Sequence, residues 1–133
     1  MTYVMDANAM IAVLNNEPGA DVVERLLTPS GTIAYAHAVN ICEVFYGVLR
    51  ATDEATAQKA LTDIASLGIQ TRADMDDPFW QDIGRIKASH RLSLADGFAV
   101  ALARRVGCEL VTSDHHELDP LAQAGVCIVH FFR

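Results

Sequence analysis

The twenty residues ADGFAVALARRVGCELVTSD, at positions 95–114, join an apolar helix to an apolar strand. Positions 97–103 carry no polar side chain, which predicts a helix that is buried on nearly all sides. Gly107 ends that helix, and Glu109–Thr112 follows as a short strand. The stretch therefore predicts a helix and a strand that both belong to the interior of an α/β domain.

On both sides of this stretch, short apolar strands alternate with helices. The other predicted strands are Thr2–Met5, Thr32–Ala36, the brief extended segment Ile69–Thr71, and Val126–Phe131. Helices are predicted over Met10–Leu14, Val22–Leu27, Ile41–Leu49 with Asn40 as its cap, Ala57–Ala65, Pro78–Ile86 and Leu118–Ala124. Strands that are separated by helices throughout predict a mainly parallel sheet with helices on both faces.

Length and composition predict a single domain over residues 1–133. Hydrophobic residues make up 51% of the 133 positions, which suits one core of ordinary size. No apolar run approaches the roughly 20 residues that cross a bilayer, and the N-terminus lacks the pattern of a signal peptide. We therefore expect a soluble, cytoplasmic protein with no membrane partner, in which Cys42, Cys108 and Cys127 are reduced, buried thiols.

The charge balance limits which ligands the chain attracts unaided. Seventeen Asp and Glu residues against ten Lys and Arg residues give a formal net charge of −7. That charge opposes non-specific binding to nucleic acid or to anionic lipid. If the substrate is a nucleic acid, a cation must neutralise the acidic site.

Four acidic residues fall at predicted junctions between strands and helices. Asp6 ends the first strand, Asp114 follows the strand that ends at Thr112, and Glu43 and Asp96 lie in the first turns of helices. In open parallel sheets, the carboxyl ends of strands and the starts of the following helices meet at one edge. We therefore expect the four carboxylates to lie close together.

Each carboxylate also has a purely structural explanation. Asn40-x-x-Glu43 and Ser93-x-x-Asp96 resemble capping boxes, in which an acid satisfies free amides and complements the helix dipole. Aspartate, such as Asp6, is common where a strand turns into a loop. For one residue taken alone, these explanations are the more common ones. Four carboxylates at one edge of the sheet favour a shared site.

The predicted carboxylate cluster is chemically suited to a metal ion. Clustered carboxylates repel one another, and hard ions such as Mg²⁺ or Mn²⁺ prefer oxygen ligands. We expect Asp6, Asp96 and Asp114 to bind the ions, while Glu43 serves as a ligand or positions the attacking water. Two ions about 3.5–4 Å apart activate water for phosphodiester hydrolysis. The expected products carry a 5′-phosphate and a 3′-hydroxyl.

Four stretches of the chain carry a resemblance to a known family. They are YVMDANAMIAVL from Tyr3, NICEVFYGVLR from Asn40, LSLADGFAVALARRVGCELVTSDHHEL from Leu92, and the closing IVHFFR. In their order and spacing they resemble a PIN domain, specifically the VapC-like ribonuclease toxins of type II toxin–antitoxin systems. The resemblance spans nearly the whole chain. It implies a three-layer α/β/α sandwich that binds Mg²⁺ or Mn²⁺ and cleaves RNA.

The resemblance assigns the catalytic and metal-binding roles to the four acidic residues already singled out, Asp6, Glu43, Asp96 and Asp114. It also implies a homodimer and a cognate antitoxin whose C-terminal segment covers the active-site groove. Phe79 and Trp80, near a predicted helix start, are candidates for one of these interfaces.

Three further positions flank the acidic residues. The family usually has Ser or Thr two residues after its first aspartate, where this chain has Asn8, which can donate to a carboxylate and cap the first helix. Thr112 is expected to orient Asp6 or Asp114. Asp119 is either an outer ligand or, with Pro120, part of a surface turn.

Cationic residues near the acidic positions are candidates for contacts with the RNA backbone. They are Arg85, Lys87 and Arg91 in the basic stretch RIKASHR, together with His115 and His116. The basic stretch is equally typical of a solvated helix face. The two histidines also fit solvated loop residues or, less well, zinc ligands, whereas His37 and His130 have the pattern of ordinary structural histidines.

Other functions fit parts of the sequence. A phosphoacceptor domain of similar α/β architecture needs a lysine near its last strand, but the final lysine is Lys87. A haloacid-type phosphatase carries Asp-x-Asp, where this chain has Asp6-Ala7-Asn8. A non-catalytic interaction module of the same fold and a PIN nuclease of RNA processing remain alternatives to the toxin.

Overall fold

The computed structural model describes residues 1–133 as alternating strands and helices. The strands are β1 (Thr2–Met5), β2 (Ile33–His37), β3 (Ile69–Arg72), β4 (Glu109–Thr112) and β5 (Val129–Phe131). The helices are α1 (Ala7–Leu14), α2 (Ala20–Leu27), α3 (Ala38–Ala51), α4 (Glu54–Ser66), α5 (Asp77–Ser89), α6 (Leu94–Val106) and α7 (His115–Gln123). None of these helices has the length and apolar character that a bilayer crossing requires.

The five strands form one parallel sheet in the order β3-β2-β1-β4-β5. The central strand, β1, pairs Tyr3 with Ala34 of β2 on one side and with Glu109 of β4 on the other. The strand order therefore reverses between β1 and β4. In open α/β sheets such a reversal opens a crevice at the carboxyl ends of the two strands, which is where ligands bind.

Helices cover both faces of the sheet, because successive strand side chains point to opposite sides. Val4 and Leu110 belong to the apolar core formed with α5, α6 and α7. Their neighbours Tyr3, Met5 and Val111 belong to the core formed with α1, α2, α3 and α4. The predicted three-layer α/β/α sandwich is confirmed, and its sheet is parallel throughout.

Helix α6 lies in the interior, as its sequence predicts. All seven residues from 97 to 103 are buried. Gly97 allows α6 to approach α5 closely, because a Cβ atom at this position would lie 3.0 Å from Cγ2 of Ile83. This close packing fixes the start of α6, and therefore the backbone of Asp96, relative to α5.

Several helices begin earlier than the sequence predicts, and at α3 and α7 the earlier start changes the role of a residue. Helix α3 starts directly after β2, and its cap is His37, whose Nδ1 accepts a hydrogen bond from Val39 N at 3.1 Å. The prediction of Asn40 as the cap is therefore wrong. Helix α7 starts at His115 and is capped by Asp114, so the expected loop at the two histidines is wrong as well.

Several smaller predictions are also wrong. Asp119 and Pro120 lie inside α7 and form no surface turn. Asp6, which directly precedes α1, caps that helix in place of Asn8. Strand β5 is three residues long, shorter than the predicted six, because only those residues pair with β4. Phe79 is 2% exposed and belongs to the core, so it cannot form an interface in the folded chain.

The three cysteines are free thiols, but they differ in exposure. Cys42 is exposed, Cys108 is half-buried and Cys127 is buried, so the prediction of buried thiols is wrong for Cys42.

Candidate active site

The crevice at the ends of β1 and β4 contains a polar cavity of about 240 Å³, called here the acidic cavity. Its lining includes all four predicted carboxylates and a fifth that the sequence analysis did not identify. The lining residues are Asp6, Ala7, Asn8, Glu43, Ser93, Asp96, Asp114 and Glu117. No Lys, Arg, His or Cys side chain lines this cavity, so its negative charge has no cationic partner in the lining.

Asp6 is the most deeply buried of the carboxylates, with 2% of its surface exposed. One carboxylate oxygen accepts a hydrogen bond from Ala9 N at 2.9 Å, because Asp6 caps α1. Burial raises the pKa of Asp6 to about 7, and the charges of Glu43 and Asp114 add to this, although hydrogen bonds from Thr112 and Ala9 oppose it. The carboxylate is therefore held in place with its charge poorly compensated.

Asp96 and Glu117 face each other across the starts of α6 and α7. Ser93 caps α6 by accepting from Asp96 N at 3.1 Å, but Ser93 N donates to Oε2 of Glu117 at 3.1 Å. The predicted capping box is thus only half formed, and the Asp96 carboxylate is left in the cavity. Burial, followed by a shared hydrogen bond with Glu117, raises the pKa of Asp96, while the same hydrogen bond lowers the pKa of Glu117.

Asp114 and Thr112 form a rigid link between β4 and α7. The Asp114 side chain accepts from Glu117 N at 3.1 Å, and Asp114 N donates to the Thr112 hydroxyl oxygen at 3.0 Å. Thr112 is completely buried, and its side chain also hydrogen-bonds to the Asp6 carboxylate. This hydroxyl therefore contacts the residues at the ends of both central strands, the place where the sequence analysis expects an orienting group.

Glu43 lies one helical turn after Asn40 in α3. The Asn40 side-chain nitrogen donates to Oε1 of Glu43 at 3.3 Å and to the Ala95 carbonyl oxygen at 3.1 Å. The predicted capping box at these positions is therefore absent. Asn40 instead joins Glu43 to the start of α6.

The donor set of the cavity fits a hard divalent cation. Asp96, Asp114 and Glu117 each offer one carboxylate oxygen, and these three atoms lie within 4.8 Å of one another. Oxygen-only donors suit Mg²⁺ or Mn²⁺, whereas zinc sites draw on His and Cys. Glu117 had a detectable signal in the sequence, because Asp114-x-x-Glu117 has the same spacing as Ser93-x-x-Asp96. The predicted helix, however, begins at Leu118 and leaves Glu117 outside its first turn, so this signal is missed.

Three of the five predicted cationic contacts share one cavity. Lys87, Arg91 and His116 line a cavity of about 540 Å³, called here the basic cavity. The basic cavity shares Ser93 and Glu117 with the acidic cavity, so the two adjoin.

The other two predicted cations lie elsewhere. Arg85 lines separate pockets beside Asp82 and Arg104. His115 stacks on Phe131 with a centroid distance of 4.0 Å, and its ring nitrogens hydrogen-bond to Asp119 and to a backbone carbonyl.

The remaining predictions concern single side chains. Asn8 is exposed in the cavity lining and makes no side-chain hydrogen bond to a carboxylate. Asp119 hydrogen-bonds to His115 and lies outside the acidic cavity lining. His37 is buried and bonded at both ring nitrogens, which confirms its structural role. His130 lies in β5, 3.9 Å from Glu109.

The acidic cavity lies where the strand order of a three-layer α/β/α domain reverses. The protein therefore falls in the class of α/β domains whose ligand crevice is suited to a divalent cation. More particularly, the chain belongs to the PIN domain family, because the family model matches residues 3–122. Among curated proteins, no sequence matches the chain significantly.

Solved structures share this fold over nearly the whole chain. VapBC2 from Rickettsia felis, bound to a promoter DNA fragment, matches with a TM-score of 0.75, 17% identity and 98% coverage of both chains. DNA-bound VapBC from Salmonella typhimurium matches with a TM-score of 0.75, 14% identity, and 100% and 99% coverage of this and that chain. VapC20 of Mycobacterium tuberculosis, a sarcin-ricin loop cleaving toxin, matches with a TM-score of 0.70, 14% identity, and 89% and 94% coverage. The predicted VapC-like PIN fold is confirmed.

Proposed function

We propose that the protein is a Mg²⁺- or Mn²⁺-dependent endoribonuclease that acts in the cytoplasm as the toxin of a toxin–antitoxin pair. The observation that carries the nuclease assignment is the acidic cavity, where five carboxylates converge and no cationic side chain lines the wall. Membership of the PIN domain family, whose members are nucleases, and the likeness to VapBC structures support the same reaction class.

Asp96, Asp114 and Glu117 would hold the cation, since their oxygens already lie close together, and Asp6 and Glu43 face the same space. When bound, the divalent cation supplies Lewis-acid stabilisation of the phosphate and lowers the pKa of the water that attacks it. Its charge also offsets the repulsion between an acidic cavity and a polyanionic substrate.

The remaining side chains position the reacting groups. Asn40 occupies Oε1 of Glu43, which leaves the other carboxylate oxygen to accept a hydrogen bond from the attacking water. Thr112 and Ala9 N keep Asp6 in a single orientation. Because water is the nucleophile and the 2′-hydroxyl is not, the reaction leaves a 5′-phosphate and a 3′-hydroxyl.

The basic cavity would bind an RNA phosphate next to the one that is cleaved. Lys87, Arg91 and His116 supply the cationic surface there, and the shared residues Ser93 and Glu117 connect it to the acidic cavity. Backbone phosphates are the main targets of such side chains. Arg85 and His115 do not belong to this surface, because Arg85 lines another pocket and the His115 ring is held by Asp119 and a backbone carbonyl.

In vitro cleavage tests the nuclease. Purified wild-type protein should cut RNA internally only when Mg²⁺ or Mn²⁺ is present, and sequencing of the fragments should find 5′-phosphate ends. Asp6→Asn should lower the rate more than about 100-fold, since loss of an outer-shell partner alone typically costs about 10–100-fold. The matched control is Asp21→Asn, which removes an exposed carboxylate of α2. Equal activity of Asp6→Asn and wild type would contradict the proposed site.

Salt-dependent binding tests the basic cavity. In an Asp6→Asn background, Arg91→Gln should weaken RNA binding and reduce the slope of log affinity against log salt by about 0.7, the value for one phosphate contact on a single strand. Arg85→Gln removes the same charge outside the cavity and should leave both quantities nearly unchanged. If the two variants behave alike, the basic cavity is not the binding site.

The toxin role rests on the likeness to VapBC structures. We propose that a cognate antitoxin covers the acidic cavity and that the chain forms a homodimer. Induction of wild-type protein should arrest bacterial growth, whereas induction of Asp6→Asn to the same level should not. Growth arrest by both proteins would argue against a toxicity that depends on RNA cleavage. An absence of arrest by an active nuclease would favour the role in RNA processing.

A further inference from the structure

Asn40 is a polar side chain in an unusual position. It lies in the first turn of α3, its exposed fraction is 0%, and its Oδ1 is the only buried side-chain nitrogen or oxygen without a hydrogen-bond partner. An apolar residue would avoid this unsatisfied oxygen. Buried polar atoms without partners are rare in proteins, so the presence of an amide here calls for a physical explanation.

The partners of the amide nitrogen supply that explanation. One acceptor is Oε1 of Glu43, at 3.3 Å, and the other is the carbonyl oxygen of Ala95, at 3.1 Å. Both partners accept hydrogen bonds and neither donates one, so the amide nitrogen must face them. If the amide were rotated, Oδ1 would lie against two other oxygens. Oδ1 is therefore left without a partner because both N–H groups of the Asn40 amide donate to these two acceptors.

The two acceptors belong to different parts of the acidic cavity. Glu43 lies in α3 and lines the cavity, while Ala95 directly precedes Asp96 in the first turn of α6. The start of α6 is anchored independently by the hydrogen bond from Ser93 N to Glu117 and by the close packing at Gly97. Ala95 therefore offers a fixed point to which the half-buried Glu43 side chain can be tied.

We propose that Asn40 is a positioning residue that ties the Glu43 carboxylate to the start of α6, so that Glu43 serves as an outer-shell partner of the cation that Asp96 helps to hold. The proposal rests on the metal-dependent function proposed above. Asn40 touches neither cation nor RNA and acts only through Glu43. A side chain without two amide protons cannot replace it: ionised Asp has none, Ser has one, and Leu has none.

A double-mutant cycle of Asn40→Leu and Glu43→Gln tests this role. The measured quantity is the Mn²⁺ affinity of the purified chain, determined by calorimetry without RNA. Leu has a similar volume and removes the unsatisfied oxygen. Asn40→Leu should weaken Mn²⁺ binding by about 10–100-fold, as loss of an outer-shell partner typically does. Once Glu43→Gln is present, adding Asn40→Leu should change the affinity less than about twofold, because the two residues act as one unit.

The outcomes separate this proposal from the proposed function. Wild-type protein that binds no Mn²⁺ would overturn both. Mn²⁺ binding that is unaffected by Asn40→Leu, or weakened to the same extent in both backgrounds, would overturn the positioning role alone. If Asn40→Leu does not fold, Asn40→Ser serves in its place. With one donor and a shorter reach, it should show the same coupling to Glu43→Gln.

Discussion

Two groups of carboxylates at different places in the molecule have opposite electrostatic environments. In the acidic cavity, burial raises the pKa of Asp6 to about 7, with no cationic side chain in the lining. Near the start of α5, hydrogen bonds from Arg105 lower the pKa of Asp76 to about 2. Arg105 also contacts Asp74, which Arg72 contacts as well. Asp74 and Asp76, called here the arginine-paired group, thus lie beside arginine, whereas the carboxylates of the acidic cavity have no cationic side chain in their lining.

Substitution of Asp96 should reveal the largest difference between the two groups. Asp96→Asn removes a cation ligand together with a source of repulsion, so RNA cleavage should fall more than about 100-fold while the fold persists. In the presence of a chelator, the variant should melt no lower than wild type. Asp76→Asn, in the arginine-paired group, should keep full cleavage activity. An active Asp96→Asn protein would remove the functional distinction between the groups.

Addition of a divalent cation should stabilise the protein through the acidic cavity. A ligand that binds only the native state at 100 times its Kd contributes about 2.7 kcal/mol to the free energy of unfolding. Millimolar Mg²⁺ or Mn²⁺ should therefore raise the melting temperature of wild type. It should have much less effect on Asp114→Asn, in which one of the three closely spaced carboxylates becomes a neutral amide. An equal rise in both proteins would place the cation elsewhere.

The pH dependence of stability should distinguish the two groups without mutation. The folded-state pKa of Asp6 lies above its unfolded value of 3.8, so the folded protein binds the proton more tightly and stability falls as pH rises from about 4 to 7. One carboxyl contributes at most about 1.4 kcal/mol per pH unit.

The opposite sign applies to Asp76, whose contribution is present above pH 3.8 and is lost as pH falls towards 2. Melting curves between pH 5 and 8 in chelator therefore report on the acidic cavity and on His115, whose pKa is raised by hydrogen bonds to the Arg133 backbone and to Asp119. Saturating Mn²⁺ should remove only the part of the pH dependence that comes from the cavity. A pH dependence that Mn²⁺ leaves unchanged would show that Asp6 is not coupled to the cation.

The smallest effect is expected at Arg105. Arg105→Gln removes ion pairs with Asp74 and Asp76 and a contact over the Phe79 ring, at 5.0 Å from its centroid. Because the side chain is partly exposed, the melting temperature should fall only slightly. Cleavage activity and Mn²⁺ affinity should not change. A loss of activity would mean that the arginine-paired group also supports catalysis.

Much of the architecture could be predicted from the sequence because the signals are local. The apolar run at positions 97–103 predicts a buried helix, and the four acidic residues at strand ends and helix starts predict one acidic edge. Both follow from hydrophobic periodicity and from the geometry of parallel sheets. Helix starts are harder to predict, because Asn40 is a typical cap residue and His37 is not, and only the end of β2 sets where α3 begins.

Contacts between distant elements could be known only from the tertiary structure. Asn40 meets Ala95, fifty-five positions away in the sequence, and Glu117 meets Ser93, twenty-four positions away. Their sequence spacing carries no information about these hydrogen bonds.

The sequence by itself determined the α/β class, the PIN resemblance and four of the carboxylates, because each depends on residue type and on spacing within one element. The tertiary structure decided which side chains share a cavity. Glu117 lies in the acidic cavity and Arg91 lies in the adjoining basic cavity, whereas Arg85 lies outside both. Packing between α5, α6 and α7 sets those positions, and packing depends on side chains from the whole chain at once.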